Sequence, residues 1–253
     1  MLFEESTIEL ATPTGPMRTY LYRPHGWRHS RSTATGAGRL PGLVFFSEIF
    51  QRTGPIHRSA AIMAGHGFVV AVPEIFHEMC PAGTVLAYDK GGTDAGNAHK
   101  IGKSTDAYDA DSRAVIDHLL AREDASGAIH AIGVCIGGHL AFRCALDPRV
   151  RSAACFYATD LHKGSLGKGG DDSLARAGHI RGELMMVWGR QDPHVDEEGR
   201  AKILAQLTAQ EVRFTWHEWN AQHAFLRDEG PRYDPALAVM AYRMAVDLFL
   251  RPG

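Results

Sequence analysis

Short apolar runs recur along the chain, and stretches with helical spacing lie between them. Leu43-Val44-Phe45-Phe46 and Phe68-Val69-Val70-Ala71-Val72 are continuous runs. Strands of a parallel sheet read this way because both of their faces are covered. Residues 129–134, 152–157, 183–188 and 212–216 repeat the pattern. Helices are expected over residues 56–66, 108–120, 139–146, 197–210 and 235–250. In the second of these, Ala110, Ala114, Val115 and Leu119 share a face, and Thr105 or Asp106 supplies a cap. Residues 6–10 and 17–22 differ, being two strands joined by the turn Thr12-Pro13-Thr14-Gly15-Pro16. They predict an antiparallel edge hairpin. From residue 43 onward strands and helices alternate, which predicts an α/β fold: a mostly parallel central sheet with helices on both faces. No repeat or linker interrupts the alternation, so one domain over residues 1–253 is expected.

Three longer segments break the rhythm. Residues 24–42 are rich in Arg, Ser, Thr, Gly and His and read as a solvated surface loop, with a basic patch of Arg28, Arg31 and Arg39 as the alternative. Residues 74–104 read as a long irregular loop of the kind that is functional or partly helical. Its glycines miss the dinucleotide-binding pattern because position 93 is Thr. Residues 160–181 form a polar connection in which Gly164-Ser165-Leu166-Gly167-Lys168 fails as a phosphate loop, since the glycine needed at position 162 is His.

Composition narrows the function. At 253 residues, 45% hydrophobic and 22% charged, the chain is ordinary for a soluble globular protein. A net charge of −2 gives no support for nucleic-acid binding or a polybasic membrane anchor. No apolar run approaches the roughly 20 residues that span a bilayer. Met1-Leu2-Phe3-Glu4-Glu5 lacks the basic and apolar parts of a signal peptide, so a cytoplasmic location is expected. Cys80, Cys135, Cys144 and Cys155 show no paired spacing and are expected to be free thiols, Cys144 and Cys155 in the core. Monomer and homodimer both fit.

The chemistry centres on Gly133-Val134-Cys135-Ile136-Gly137-Gly138, between an apolar strand and a helix. This is the strand–turn–helix pattern of a nucleophile elbow, with a thiol as nucleophile. Glycines on both sides clear space around a strained residue, and the helix N-terminus favours a thiolate. A buried cysteine in a glycine-rich turn is the plain alternative. A cysteine nucleophile needs a base, and the base needs an orienting group. Asp192 follows one strand and His223 follows the next, giving the order nucleophile, acid, histidine. Asp196 rivals Asp192, but it stands where a helix begins and fits an N-cap better. Two backbone N–H donors for an oxyanion are expected from Ile136 and from Ile49, after the first central strand. No metal is called for: there is no His-Glu-x-x-His, and His77-Glu78-Met79-Cys80 supplies only two plausible ligands.

Ser47-Glu48-Ile49-Phe50, the cysteine elbow, Gly189-Arg190-Gln191-Asp192 and His223-Ala224-Phe225-Leu226-Arg227 together resemble the dienelactone hydrolase (carboxymethylenebutenolidase) family of the α/β-hydrolase fold. The resemblance runs from about residue 40 onward. It implies a triad of Cys135, Asp192 and His223, with no cofactor. It further implies that Glu48 contacts the resting thiol and helps generate the thiolate, and that Arg227 holds a substrate carboxylate. A second carboxylate-binding arginine of the family has no match here; residues 97–104 offer only Lys100 and Lys103. Sulfur also bears on substrate. A thiolate is expelled more readily than an ordinary alkoxide, so unactivated esters revert, whereas an enol lactone expels a stabilised enolate. The expected substrate is a small activated ester or enol lactone carrying a carboxylate. A broader esterase or thioesterase, and a non-catalytic binding or thiol redox-sensing protein, are the alternatives.

Overall fold

The computed structural model describes residues 3–25 and 39–251. Most of the expected 24–42 surface loop, including Arg28 and Arg31, lies outside the described residues. Strand β1 (Phe3–Thr12) and strand β2 (Gly15–Pro24) pair antiparallel in the expected edge hairpin, closed by a tight turn at Pro13-Thr14. Both strands run beyond their apolar centres because the ladder between them continues from Thr12↔Gly15 to Phe3↔Pro24.

The rest is α/β. In chain order come β3 (Leu40–Phe46), α1 (Gly54–Gly65), β4 (Val69–Pro73), α2 (Lys90–Gly102), α3 (Thr105–Ala121) and β5 (Ala125–Val134). They are followed by α4 (Ile136–Cys144), β6 (Val150–Phe156), β7 (Glu183–Gly189), α5 (Glu197–Ala209), β8 (Phe214–Trp219) and α6 (Pro235–Phe249). Eight strands make one sheet in the order β1-β2-β4-β3-β5-β6-β7-β8. All neighbours from β4 to β8 are parallel, and β2 joins β4 antiparallel.

The continuous apolar runs are explained by two cores. On β3, Val44 and Phe46 face a core built with α3, α4 and α5, while Leu43 and Phe45 face one built with α1 and α6. A strand alternates its side chains between faces, so only an unbroken apolar run fills both cores. The parallel strands therefore point their C-terminal ends the same way, and the loops leaving β3, β5, β6, β7 and β8 gather along one edge.

One expectation is made specific and one is corrected. Residues 74–104 are partly helical: α2 occupies Lys90–Gly102, started by Asp89, whose carboxylate accepts from the Gly92 N–H at 2.7 Å. Gly91, Gly92 and Gly96 hid this helix from its sequence, because glycine costs about 1 kcal/mol relative to Ala in a helix. Close approach explains two of them. A methyl group on Gly92 would stand 2.0 Å from the Ala87 carbonyl oxygen, and one on Gly96 would stand 2.6 Å from that of Ile49. Helix α3 is capped by Ser104, which accepts from the Ala107 N–H at 3.2 Å, rather than by Thr105 or Asp106. The register moved because Thr105 already has helical geometry as the first residue of α3. Asp196 caps α5 as expected, at 2.8 Å from the Gly199 nitrogen.

Gly91 and Gly96 yield opposite predictions. Gly91 is exposed, and an added methyl group meets nothing closer than 3.5 Å. Gly91→Ala is expected to raise stability by up to about 1 kcal/mol. Gly96→Ala is expected to lower it by about 1–3 kcal/mol, through overpacking of α2 against Ile49. Urea midpoints of the two variants check this. Two shifts of the same sign would contradict it.

Candidate active site

Cys135 stands between the last residue of β5 and the first of α4. Its backbone lies at φ 60° and ψ −124°, a region that L-residues avoid. The glycines around it allow this. A methyl group on Gly133 would fall 1.9 Å from the Gly137 carbonyl oxygen. One on Gly137 would fall 2.2 Å from the Phe46 oxygen, and one on Gly138 would fall 2.6 Å from the Phe156 oxygen. Three strand ends and the first turn of α4 thus close on the thiol, so the sequence reading of these glycines describes real contacts. Strain extends along the same edge: Gln51, Tyr157, Asp160 and Ala224 also have positive φ, on the loops leaving β3, β6 and β8.

Asp192 leaves β7 and His223 leaves β8, and the two meet. His223 Nδ1 lies 2.7 Å from Asp192 Oδ2, with both side chains buried. The other carboxylate oxygen accepts the backbone N–H of His194 at 2.8 Å. The bond to Asp192 fixes the imidazole through Nδ1 and leaves Nε2 for the thiol side. Burial opposes a charge on His223, but the neighbouring Cys135 sulfur and Asp192 outweigh it and push its pKa up to about 10. Cys135, Asp192 and His223 are therefore brought together. Cys144 and Cys155 are packed in the core as expected, and burial pushes both thiols up.

The loop after β3 holds the remaining expected residues. Among the described residues, no backbone carbonyl accepts from the N–H of Ile136 or of Ile49. Ile49 and Cys135 both line the cavity described below. The resemblance gives Glu48 a role at the thiol and Arg227 one at a substrate carboxylate. They bond each other: Arg227 Nη2 donates to Glu48 Oε1 at 2.8 Å and Nε to Oε2 at 3.0 Å. Tyr88 donates to the same carboxylate at 3.2 Å, and its ring lies 4.2 Å from the Arg227 guanidinium carbon. Glu48 is 1% exposed, and among the described residues no hydrogen bond joins it to Cys135. Removing one partner of such a buried pair costs about 3–5 kcal/mol.

A cavity of about 480 Å³ opens over the thiol. Helix α2 forms one wall through Lys90, Thr93, Asn97 and Lys100, so the long segment does reach the site. Lys100 pairs with Asp160 on the facing wall at 2.7 Å. Lys103 does not reach the cavity; it is buried against Asp111 and Glu78. Tyr88 and His194 were missed from sequence. His194 follows Asp192-Pro193 and packs edge-on against His223 with ring centroids 4.5 Å apart. Its closeness in sequence to Asp192 was the available signal. Tyr88 lies in the 74–104 segment, where no pattern in its neighbours marks it. Asp192, His194 and His223 also bring one ligand atom each within 4.8 Å of the others. A metal there would compete with the Asp192–His223 hydrogen bond.

Comparison with known proteins agrees with the fold. The model of the dienelactone hydrolase family matches residues 29–252. A Saccharomyces cerevisiae protein named "Putative carboxymethylenebutenolidase" is 40% identical over 247 residues, covering 94% of this chain and 88% of that one. Carboxymethylenebutenolidase 1 of Cupriavidus pinatubonensis is 26% identical over 208 residues, covering 82% of this chain and 85% of that one. Among solved structures, a dienelactone hydrolase-like promiscuous phosphotriesterase from metagenomic libraries superposes with a TM-score of 0.74 at 19% identity, over 98% of each chain. With the eight-stranded sheet and the elbow at its edge, a match over nearly the whole length shows that this chain, a hydrolase, belongs to the dienelactone hydrolase family.

Proposed function

We propose that the chain is a cysteine-dependent hydrolase that opens an activated ester or enol lactone through a thioester intermediate. The observation that carries this is Cys135 at the strained elbow, beside a histidine that Asp192 fixes at 2.7 Å. The Cys135 sulfur and Asp192 both favour the protonated form of His223 against its burial. That arrangement suits a thiolate nucleophile that needs no base for its first step.

The cycle follows from the atoms present. Cys135 Sγ attacks the acyl carbon, and the carbonyl electron pair moves onto oxygen. The N–H groups of Ile136 and Ile49 face the developing charge. The adduct collapses, the C–O bond breaks, and the enolate leaves, taking the proton of His223. Neutral His223 then removes a proton from water, whose oxygen attacks the thioester. Collapse of that second adduct releases the acid and restores the thiolate beside a protonated His223. Asp192 keeps the ring oriented and stabilises its cation. Glu48 and Arg227 hold the loop that carries Ile49 against the 224–232 loop; Arg227 also borders the cavity, where it favours an anionic substrate. The small-molecule partner is a lactone or ester carrying a carboxylate. A broader esterase on the same triad is the second possibility, and equal rates on simple alkyl esters would favour it. The free thiols fit a reducing, cytoplasmic setting.

Two outcomes are expected. Cys135→Ala and Asp192→Asn should each lower turnover of a carboxylated enol lactone at least about 10³-fold with the fold intact. Retained turnover in Cys135→Ala would remove the thiol from the mechanism. The second is a titration. His223 is raised by Cys135 as well as by Asp192, so in Cys135→Ala its midpoint should fall by more than about one unit from its value near 10. Imidazole NMR signals followed from pH 5 to about pH 11 measure it. An unchanged midpoint would mean that sulfur and ring do not interact.

A further inference from the structure

A second cavity opens at the N-terminal edge of the sheet, at the opposite ends of the strands from Cys135. Its volume is about 840 Å³, and among the described residues it shares no lining residue with the catalytic cavity. A row of polar side chains crosses it in register. His130 of β5 pairs with Ser152 of β6, and Ser152 pairs with Glu183 of β7. Arg213 stands one step before the Leu184↔Phe214 pair and continues the row. His130 and Ser152 interrupt apolar strands, and each is only 4% exposed. His130 Nδ1 lies 2.8 Å from Ser152 Oγ, and among the described residues no group bonds its other ring nitrogen. Helix α6 ends beside this row, where Leu248, Phe249 and Arg251 border the cavity.

The rim is cationic. Among the described residues, Arg151, Arg181, Arg213 and Arg251 border the cavity with a single carboxylate, that of Glu183. Glu183 is already matched: Arg251 Nη1 donates to it at 2.7 Å, and Arg213 Nη2 stands at 3.9 Å. Among the described residues, no carboxylate lies within ion-pair distance of Arg151 or Arg181. Residues 26–38 contain no Asp or Glu either. The two arginines enter the rim side by side. A methyl group on Gly182 would stand 2.5 Å from the Arg151 carbonyl oxygen, so the chain enters β7 pressed against the start of β6. The C-terminal end of α6 adds a partial negative charge of about half a unit, less than either guanidinium carries.

We propose that this cavity is a binding site for a small organic phosphate, separate from the catalytic centre. Arg151 and Arg181 take the phosphate oxygens, because a guanidinium presents paired donors that match them. His130 and Ser152 supply a buried hydrogen-bonding floor. Leu248, Phe249 and the 47% exposed Leu250 give the body of the ligand an apolar wall. The volume lies within the range of small-molecule sites, roughly 300–1,000 Å³, and a concave site of this kind suits a small ligand better than an extended polyanion. The site does not depend on the hydrolysis proposed at Cys135.

The probes are ATP, inorganic triphosphate and adenosine: head and body together, head alone, and body alone. Each is titrated calorimetrically into the full-length protein and into the double variant Arg151→Gln/Arg181→Gln, at an ionic strength of about 0.15 M, where exposed charges are screened. Native protein is expected to bind ATP, with triphosphate at least about 5-fold weaker and adenosine at least about 10-fold weaker. The double variant should weaken ATP at least about 10-fold, since charge-assisted hydrogen bonds are lost. Both arginines are exposed, so its thermal midpoint without ligand should match the native one. Lys163→Gln, at the catalytic cavity, should leave ATP affinity within about 2-fold. No binding of ATP to native protein, undiminished binding in the double variant, or an equal loss in Lys163→Gln would overturn the proposal. Triphosphate or adenosine binding as tightly as ATP would overturn it too, because head and body would then not be read together.

Discussion

The structure depends on the close approach of the first turn of α4 to three strand ends at Cys135. A residue at φ 60° and ψ −124° persists only where its surroundings fix it. Here they do so by removing side chains. Gly133, Gly137 and Gly138 let the carbonyls of Gly137, Phe46 and Phe156 come where a methyl group would stand. That single arrangement turns the thiol out of the sheet edge, sets the Ile136 N–H beside it and brings the loop after β3 alongside. Everything else at the site is positioned relative to that corner. Asp192 and His223 arrive from the next strands in register, and α2 closes over the top by laying Gly96 on Ile49.

Much of this was legible in the sequence, because buried parallel strands and elbows leave strong signals. Unbroken apolar runs gave β3 and β4, and order along the chain gave Asp192 and His223. Other parts were hidden for physical reasons. Helix α2 was obscured by glycines that serve packing rather than helix formation. Ser104 takes the cap one residue earlier than expected, which moves no core residue and so leaves no trace in the apolar pattern. Tyr88 reaches the site only through tertiary folding, and nothing in its neighbours marks it. The pairing of Glu48 with Arg227 joins residues 179 apart in sequence, a distance over which no local pattern operates. Resemblance placed both of them near the thiol but could not say that they hold each other.

Electrostatics divides the site into two levels. At the cavity wall, Glu48, Arg227 and Tyr88 form a hydrogen-bonded group that joins the loop after β3 to the loop after β8. A buried pair of this kind is costly to break and adds little when intact. At the reacting level, charge is left mobile. Beside Cys135, the sulfur and Asp192 raise the pKa of His223, while burial and adjacent cations lower that of its neighbour His194. The two rings pack edge-on, with centroids 4.5 Å apart.

The most direct measurement is the mass of the protein during turnover. A carboxylated enol lactone is mixed with excess enzyme, quenched in acid within the first turnover, and the adduct located by peptide mass spectrometry. A nucleophilic Cys135 predicts an added acyl mass on the peptide that contains it, lost on a longer incubation before quenching. An adduct on another residue, or undiminished turnover after Cys135 has been fully alkylated, would contradict it.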